Sequence, residues 1–120
     1  MRIMAIDYGD AHTGIAISDP TGLLAGFTTV INSRRQEVVV EQVTLLAKEH
    51  GAEELVLGHP VNMDGTLGPR SEKAKAMKAL LEEATALPVV LWDERRTTID
   101  AHNILFNSGK NAKQRKKVVD

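Results

Sequence analysis

The hydrophobic pattern of this chain first changes period near Arg34, from short strand-like runs to helices alternating with strands, and that switch limits the possible folds more than any other feature. Before it, apolar residues fall in three short runs, 2–7 (RIMAID), 14–19 (GIAISD) and 25–31 (AGFTTVI), separated by turn chemistry at 8–13 and at Pro20-Thr21-Gly22. Short runs rich in β-branched residues read as strands, and connections this brief can join only antiparallel neighbours. After Arg34 the spacing becomes helical. Val39, Val43, Leu46 and Ala47 fall on one face of a helix over 34–50, with Gly51 as its stop. A strand follows at 54–58 (ELVLG). Ala74, Met77, Leu81 and Ala84 then mark a second helix, with Lys73, Lys75 and Lys78 facing mainly outward. The uninterrupted run 88–92 (PVVLW) is of the kind buried on both faces of a parallel sheet. Thr97 and Asp100 fit a capping pattern for a third helix, with Ile104 and Leu105 as its contacts and Gly109 as its stop; residues 113–120 would open another.

The order β-β-β-α-β-α-β-α predicts an α/β fold. Three antiparallel strands feed two parallel ones through helical crossovers, giving one mixed five-stranded sheet with helices on both faces. A length of 120 residues suits a single domain. Aromatics are limited to Tyr8, Phe27, Trp92 and Phe106, so the core has to be built from Val, Leu, Ile and Ala.

Composition excludes several chemistries. There is no cysteine, which removes disulfides, thiolate zinc sites and a Cys nucleophile, and suits a reducing, cytoplasmic setting. Ser18, Ser33, Ser71 and Ser108 occupy no nucleophile elbow. His12, His50, His59 and His102 lack zinc-ligand spacing. His50 reads as a helix-end residue and His102 as a helix-surface one, whereas His12 and His59 are expected in loops near the site. No apolar run approaches the roughly 18 residues of a membrane-spanning helix, so no membrane partner is expected. The formal charge of −1 hides an asymmetry: residues 1–60 hold 4 Lys/Arg against 8 Asp/Glu, and residues 61–120 hold 11 against 8. Lys110, Lys113, Arg115, Lys116 and Lys117 crowd the C-terminal end. Such a distribution hints at a polyanion, although a solvated tail would look the same.

In open α/β sheets, ligands gather at the carboxyl ends of the parallel strands. Asp7 closes the first strand there, and Asp93 and Glu94 close the last. Carboxylates gathered on one edge call for a cation, and Mg²⁺ takes such oxygen ligands together with substrate phosphate. The competing reading of Asp7 is a cap on the 8–13 turn. Adjacent strand residues point to opposite faces, so only one of Asp93 and Glu94 reaches Asp7 easily, and periodicity does not say which. The long glycine-rich stretch 58–70 (GHPVNMDGTLGPR) follows a parallel strand. Its Asn62, its backbone amides and Arg70 could hold a phosphate.

Three segments, 6–20 (IDYGDAHTGIAISDP), 58–70 and 93–98 (DERRTT), together with the closing KKVVD at 116–120, resemble the signatures of the bacterial YqgF family. Its members are named as pre-16S rRNA nucleases or Holliday-junction-resolvase-like proteins. The resemblance spans essentially the whole chain and implies one RNase H-like nuclease domain over 1–120. Carried over by position, it places an acidic triad on Asp7, Glu94 and Asp120, with Asp93 in support. The triad would hold Mg²⁺ or Mn²⁺, as two ions, for phosphodiester hydrolysis. Asn62, Arg70, Arg95 and His12 fall at substrate-contacting positions. The implied function is a metal-dependent nuclease for structured RNA in 5′ processing of pre-16S rRNA, acting as a monomer or weak homodimer. The alternatives are a junction-resolving DNA endonuclease and a nucleic-acid-binding module with impaired catalysis. His12 stands where the family has Lys or Arg, His59 where Leu is common, and Arg96 where an apolar residue is frequent. The family's last helix continues past the position of Asp120, so the C-terminal helix is expected to be incomplete here.

Overall fold

The computed structural model describes residues 1–21, 25–59, 68–93, 105 and 107–114. Its strands are β1 (Ile3–Asp7), β2 (His12–Ser18), β3 (Ala25–Asn32), β4 (Glu54–His59) and β5 (Val89–Asp93). Its helices are α1 (Gln36–His50), α2 (Pro69–Thr85) and a further helical stretch at 107–114, called α3 here. The five strands form one sheet in the order β3-β2-β1-β4-β5, with β1–β2 and β2–β3 antiparallel and β1–β4 and β4–β5 parallel. This is the predicted mixed sheet, and it places β1 at its centre.

Alternation along the strands sends side chains to two cores. Met4, Ile6, Ile15, Leu55 and Leu57 are buried on the face covered by α1 and α2, where they meet Val39, Val43, Met77 and Leu81. Ile3, Ala5, Ala16, Val56 and Trp92 lie on the other face and meet Leu105. Helices therefore cover both faces, as the sequence pattern implies. Helix α1 ends as expected at Gly51, whose positive φ of 67° lets its amide close back onto the carbonyls of Ala47 and Lys48. Helix α2 begins with Pro69, whose missing N–H costs nothing in a first turn.

Three local expectations are corrected. Strand β5 is an edge strand, so its apolar run is not buried on both faces: Val90 is 40% exposed while Val89 and Trp92 are buried. Ala84 is exposed, and the buried stripe of α2 instead includes Ser71. Gly109 does not stop a helix but lies inside α3, which runs on through residue 114. The expected cap at Thr97 and Asp100, and Ile104, lie outside the described residues, as do 115–120.

Gly109 stays helical because of where α3 docks. Its backbone crosses β2 at Gly14, and a Cβ at Gly14 would collide with the Gly109 carbonyl oxygen and come within 2.8–2.9 Å of Cδ and Cγ of Lys113. A Cβ at Gly109 would meet nothing closer than 3.6 Å. The contact is therefore asymmetric. Gly14→Ala should cost about 1–3 kcal/mol through forced separation of α3 from the sheet. Gly109→Ala should be neutral, or stabilising by up to about 1 kcal/mol through helix propensity. Urea denaturation of both variants checks this, and equal losses would contradict it.

Candidate active site

Asp7 ends the central strand, one residue beyond the Ile6–Leu57 and Leu57–Leu91 register pairs. At that level β4 contributes Gly58, so no side chain of β4 stands between Asp7 and β5, two strand spacings or roughly 10 Å away. The 8–11 turn and the start of α2 close the remaining sides. Asp7, Tyr8, Gly9, Asp10, Gly58, Arg70, Lys73 and Ala74 together line a cleft of about 80 Å³.

Arg70, Lys73, Asp7 and Asp10 charge its lining, and Lys113, outside that lining, reaches Asp7 from α3. Arg70 and Lys73, three residues apart, share one face of the first turns of α2. Lys73 reaches Asp10 at 3.3 Å, a solvent-exposed pair of small energetic weight. Lys113 of α3 meets Asp7 very differently. Its Nζ lies 3.1 Å from Asp7 Oδ2, the two side chains being 16% and 14% exposed. It also donates to the Asp7 backbone oxygen at 3.4 Å.

The residues expected at the site separate clearly. Asp7 and Arg70 line the cleft. His12 opens β2 rather than lying in a loop, and its Nδ1 sits 2.7 Å from Asn32 Oδ1 of β3, outside the cleft lining. His59 is the last residue of β4, and its Nε2 lies 2.6 Å from the hydroxyl of the fully buried Ser71. That bond ties the strand end to the first turn of α2, so His59 braces the two ends of the 60–67 connection. His50 ends α1, stacks on Phe27 at 4.5 Å, and accepts a bond from Arg2 on its carbonyl. Trp92 packs on the α3 face, so strand alternation turns Asp93 to the α2 face, away from the side on which Asp7 meets α3. Asn62, Glu94, Arg95, His102 and Asp120 lie outside the described residues.

Among the described residues no group of three or more His, Asp or Glu side chains could hold a metal ion. The chemistry at Asp7 nevertheless suits a hard cation: a carboxylate at a strand end, within a cleft, already holding an ammonium against Oδ2. Lys73 and Lys113 belong to this site and were not singled out from sequence. The Arg70–Lys73 spacing carries a weak signal. Lys113 stands out in sequence only as one member of the C-terminal basic cluster, and nothing there marks its pairing with Asp7, 106 residues away. Because the Asp7–Lys113 pair is largely withdrawn from water, Asp7→Asn and Lys113→Met should couple by about 1–2 kcal/mol in a double-mutant cycle of unfolding free energies. Strict additivity would contradict the pairing.

The profile of the family described as "RuvX: Holliday junction resolvase" matches residues 1–120. A protein of Halothermothrix orenii named "Putative pre-16S rRNA nuclease" is 41% identical over 120 residues, all of this chain and 86% of that protein. One of the same name from Listeria monocytogenes serotype 4b is 43% identical over 122 residues, covering all of this chain and 88% of that protein. Among solved structures, Thermus thermophilus RuvC superposes with a TM-score of 0.59 at 15% identity, over 78% of this chain and 64% of that one. The large terminase nuclease of phage G20c superposes with a TM-score of 0.57 at 10% identity, over 95% of this chain and 55% of that one. A ROK hexokinase from Thermus thermophilus (TM-score 0.56, 24% identity) is matched over only 35% of its length. At these identities the structural matches establish a shared RNase H-like fold and nothing finer. The sequence matches, which run the length of the chain at about 40% identity, go further: the chain belongs to the RuvX family, the YqgF family that its motifs resemble.

Proposed function

We propose that this chain is a divalent-metal-dependent nuclease that hydrolyses phosphodiester bonds of structured RNA, in 5′ processing of pre-16S rRNA in the cytoplasm. The observation that carries this reading is the placement of Asp7 at the carboxyl end of the central strand, in a cleft rimmed by Arg70 and Lys73. A nuclease role is supported by the names of the full-length relatives and by the family description. Asp7 would hold Mg²⁺ or Mn²⁺ together with Glu94 and Asp120. Asp93 turns to the α2 face, away from the side on which Asp7 meets α3, and it is the family resemblance that assigns the second acid to Glu94. Two such ions, when bound, supply an activated water and stabilise the leaving oxygen of a phosphodiester.

The chain's own residues have simpler tasks. Arg70, exposed in the first turn of α2, presents a planar fork to a phosphate; Lys73, one turn on, adds a point charge to the same rim. Asn62, Arg95 and His12 would extend these contacts along the backbone of the nucleic acid. Gly58 keeps the floor of the cleft low, so a bulky ribose-phosphate strand can approach Asp7. A monomer or weak homodimer suffices for an RNA substrate.

The second reading, a DNA junction resolvase, is favoured by the family description alone. It requires two active sites placed symmetrically on a four-way junction. Precursor rRNA and junction DNA assayed side by side distinguish the two. The expected result is Mg²⁺- or Mn²⁺-dependent cleavage of the RNA, reduced to background by Asp7→Asn and by Glu94→Gln in proteins that remain folded. Cleavage surviving both substitutions would overturn the site, and symmetric nicking of the junction by a dimer would favour the resolvase. Metal-independent RNA binding without cleavage, steeply weakened by salt, would favour a binding module.

A further inference from the structure

We propose that Lys113 is the resident counter-ion of Asp7, and that a divalent cation occupies the site only by displacing its ammonium. The inference rests on the reading that Asp7 holds metal and adds a competitor built into the fold. Its basis is the path the lysine takes. The stem of Lys113 lies directly on Gly14, where any Cβ would come within 2.8 Å of Cδ. Its Nζ passes beneath Gly9, where a Cβ would stand 3.1 Å away. Two glycines, one on β2 and one in the turn after β1, thus leave the corridor through which a residue of α3 reaches the strand end. At the end of that corridor the ammonium contacts both Oδ2 and the backbone oxygen of Asp7.

Charge then decides the consequence. A metal bonded to Oδ2 would stand close to an ammonium already at 3.1 Å from that oxygen, with little water between them to screen the repulsion. One cation has to leave. Lys113 therefore keeps Asp7 neutralised while metal is absent and weakens metal binding by the cost of breaking a largely buried pair. This differs from the roles of Arg70 and Lys73, which face substrate on the opposite rim and do not contact Asp7.

The test is Mn²⁺ binding to the 120-residue chain, read from the electron paramagnetic resonance of free Mn²⁺, so no nuclease activity is needed. Lys113→Met keeps the stem and removes the charge, and should tighten Mn²⁺ binding roughly tenfold, the factor that about 1.4 kcal/mol of relieved competition produces. Lys113→Gln should act in the same direction and serves if the first variant does not fold by circular dichroism. Lys75→Met, which removes an equal charge from the exposed side of α2, should leave the affinity unchanged. Unchanged or weaker binding in both Lys113 variants overturns the inference, as does an equal gain in Lys75→Met. Mn²⁺ binding that is absent from the parent chain, or insensitive to Asp7→Asn, overturns the underlying metal-site reading instead and the inference with it.

Discussion

The packing of α3 against the sheet at Gly14 governs the rest of the site. A strand residue without a side chain lets a helix backbone come close enough to place Gly109 on β2 and Lys113 against Asp7. The approach joins two distant parts of the sequence, the 1–21 hairpin and the C-terminal helix. It also covers the second face of the sheet, where Ile3, Ala5 and Ala16 would otherwise lie open. Fold and site therefore depend on the same contact. A side chain at Gly14 would disturb both the burial of Leu105 and the neutralisation of Asp7.

The two ends of the strands divide the remaining tasks. At the carboxyl ends of β1 and β4, Asp7 and Gly58 open a cleft that α2 rims with positive charge. The His59–Ser71 bond fixes the start of α2 to the end of β4, so the cationic rim has a defined height above the strand ends. At the opposite end Arg2 caps the last carbonyl of α1 and Gly51 closes that helix, which is scaffold rather than site. Partial lobes of this fold also occur in sugar kinases, as the hexokinase match over about a third of that enzyme illustrates.

Most of the fold was legible in the sequence because its elements are set by local periodicity. The change of pattern near Arg34, the Gly51 stop and the turn residues after Asp7 and Asp19 are short-range signals, and each strand and the first two helices fall where they point. The errors arose where tertiary context overrode local preference. Gly109 read as a helix stop, but packing on Gly14 holds it within α3. The run at 88–92 read as doubly buried, but its position at the sheet edge leaves Val90 in solvent. Asp7 was visible because it ends a strand. Lys113 was not, since its significance lies entirely in a partner 106 residues away. Periodicity alone left Asp93 and Glu94 open as the second acid, and the burial of Trp92 on the α3 face fixes only that Asp93 turns to the other face.

The central claim is that Asp7 is a metal-holding acid whose place is kept by Lys113. The most direct measurement is an anomalous difference map from crystals of the chain grown in Mn²⁺. A peak within bonding distance of an Asp7 carboxylate oxygen is expected, with the Lys113 ammonium withdrawn from Oδ2. Lys113 still paired with Asp7 and no peak beside that carboxylate, at saturating Mn²⁺, would contradict it.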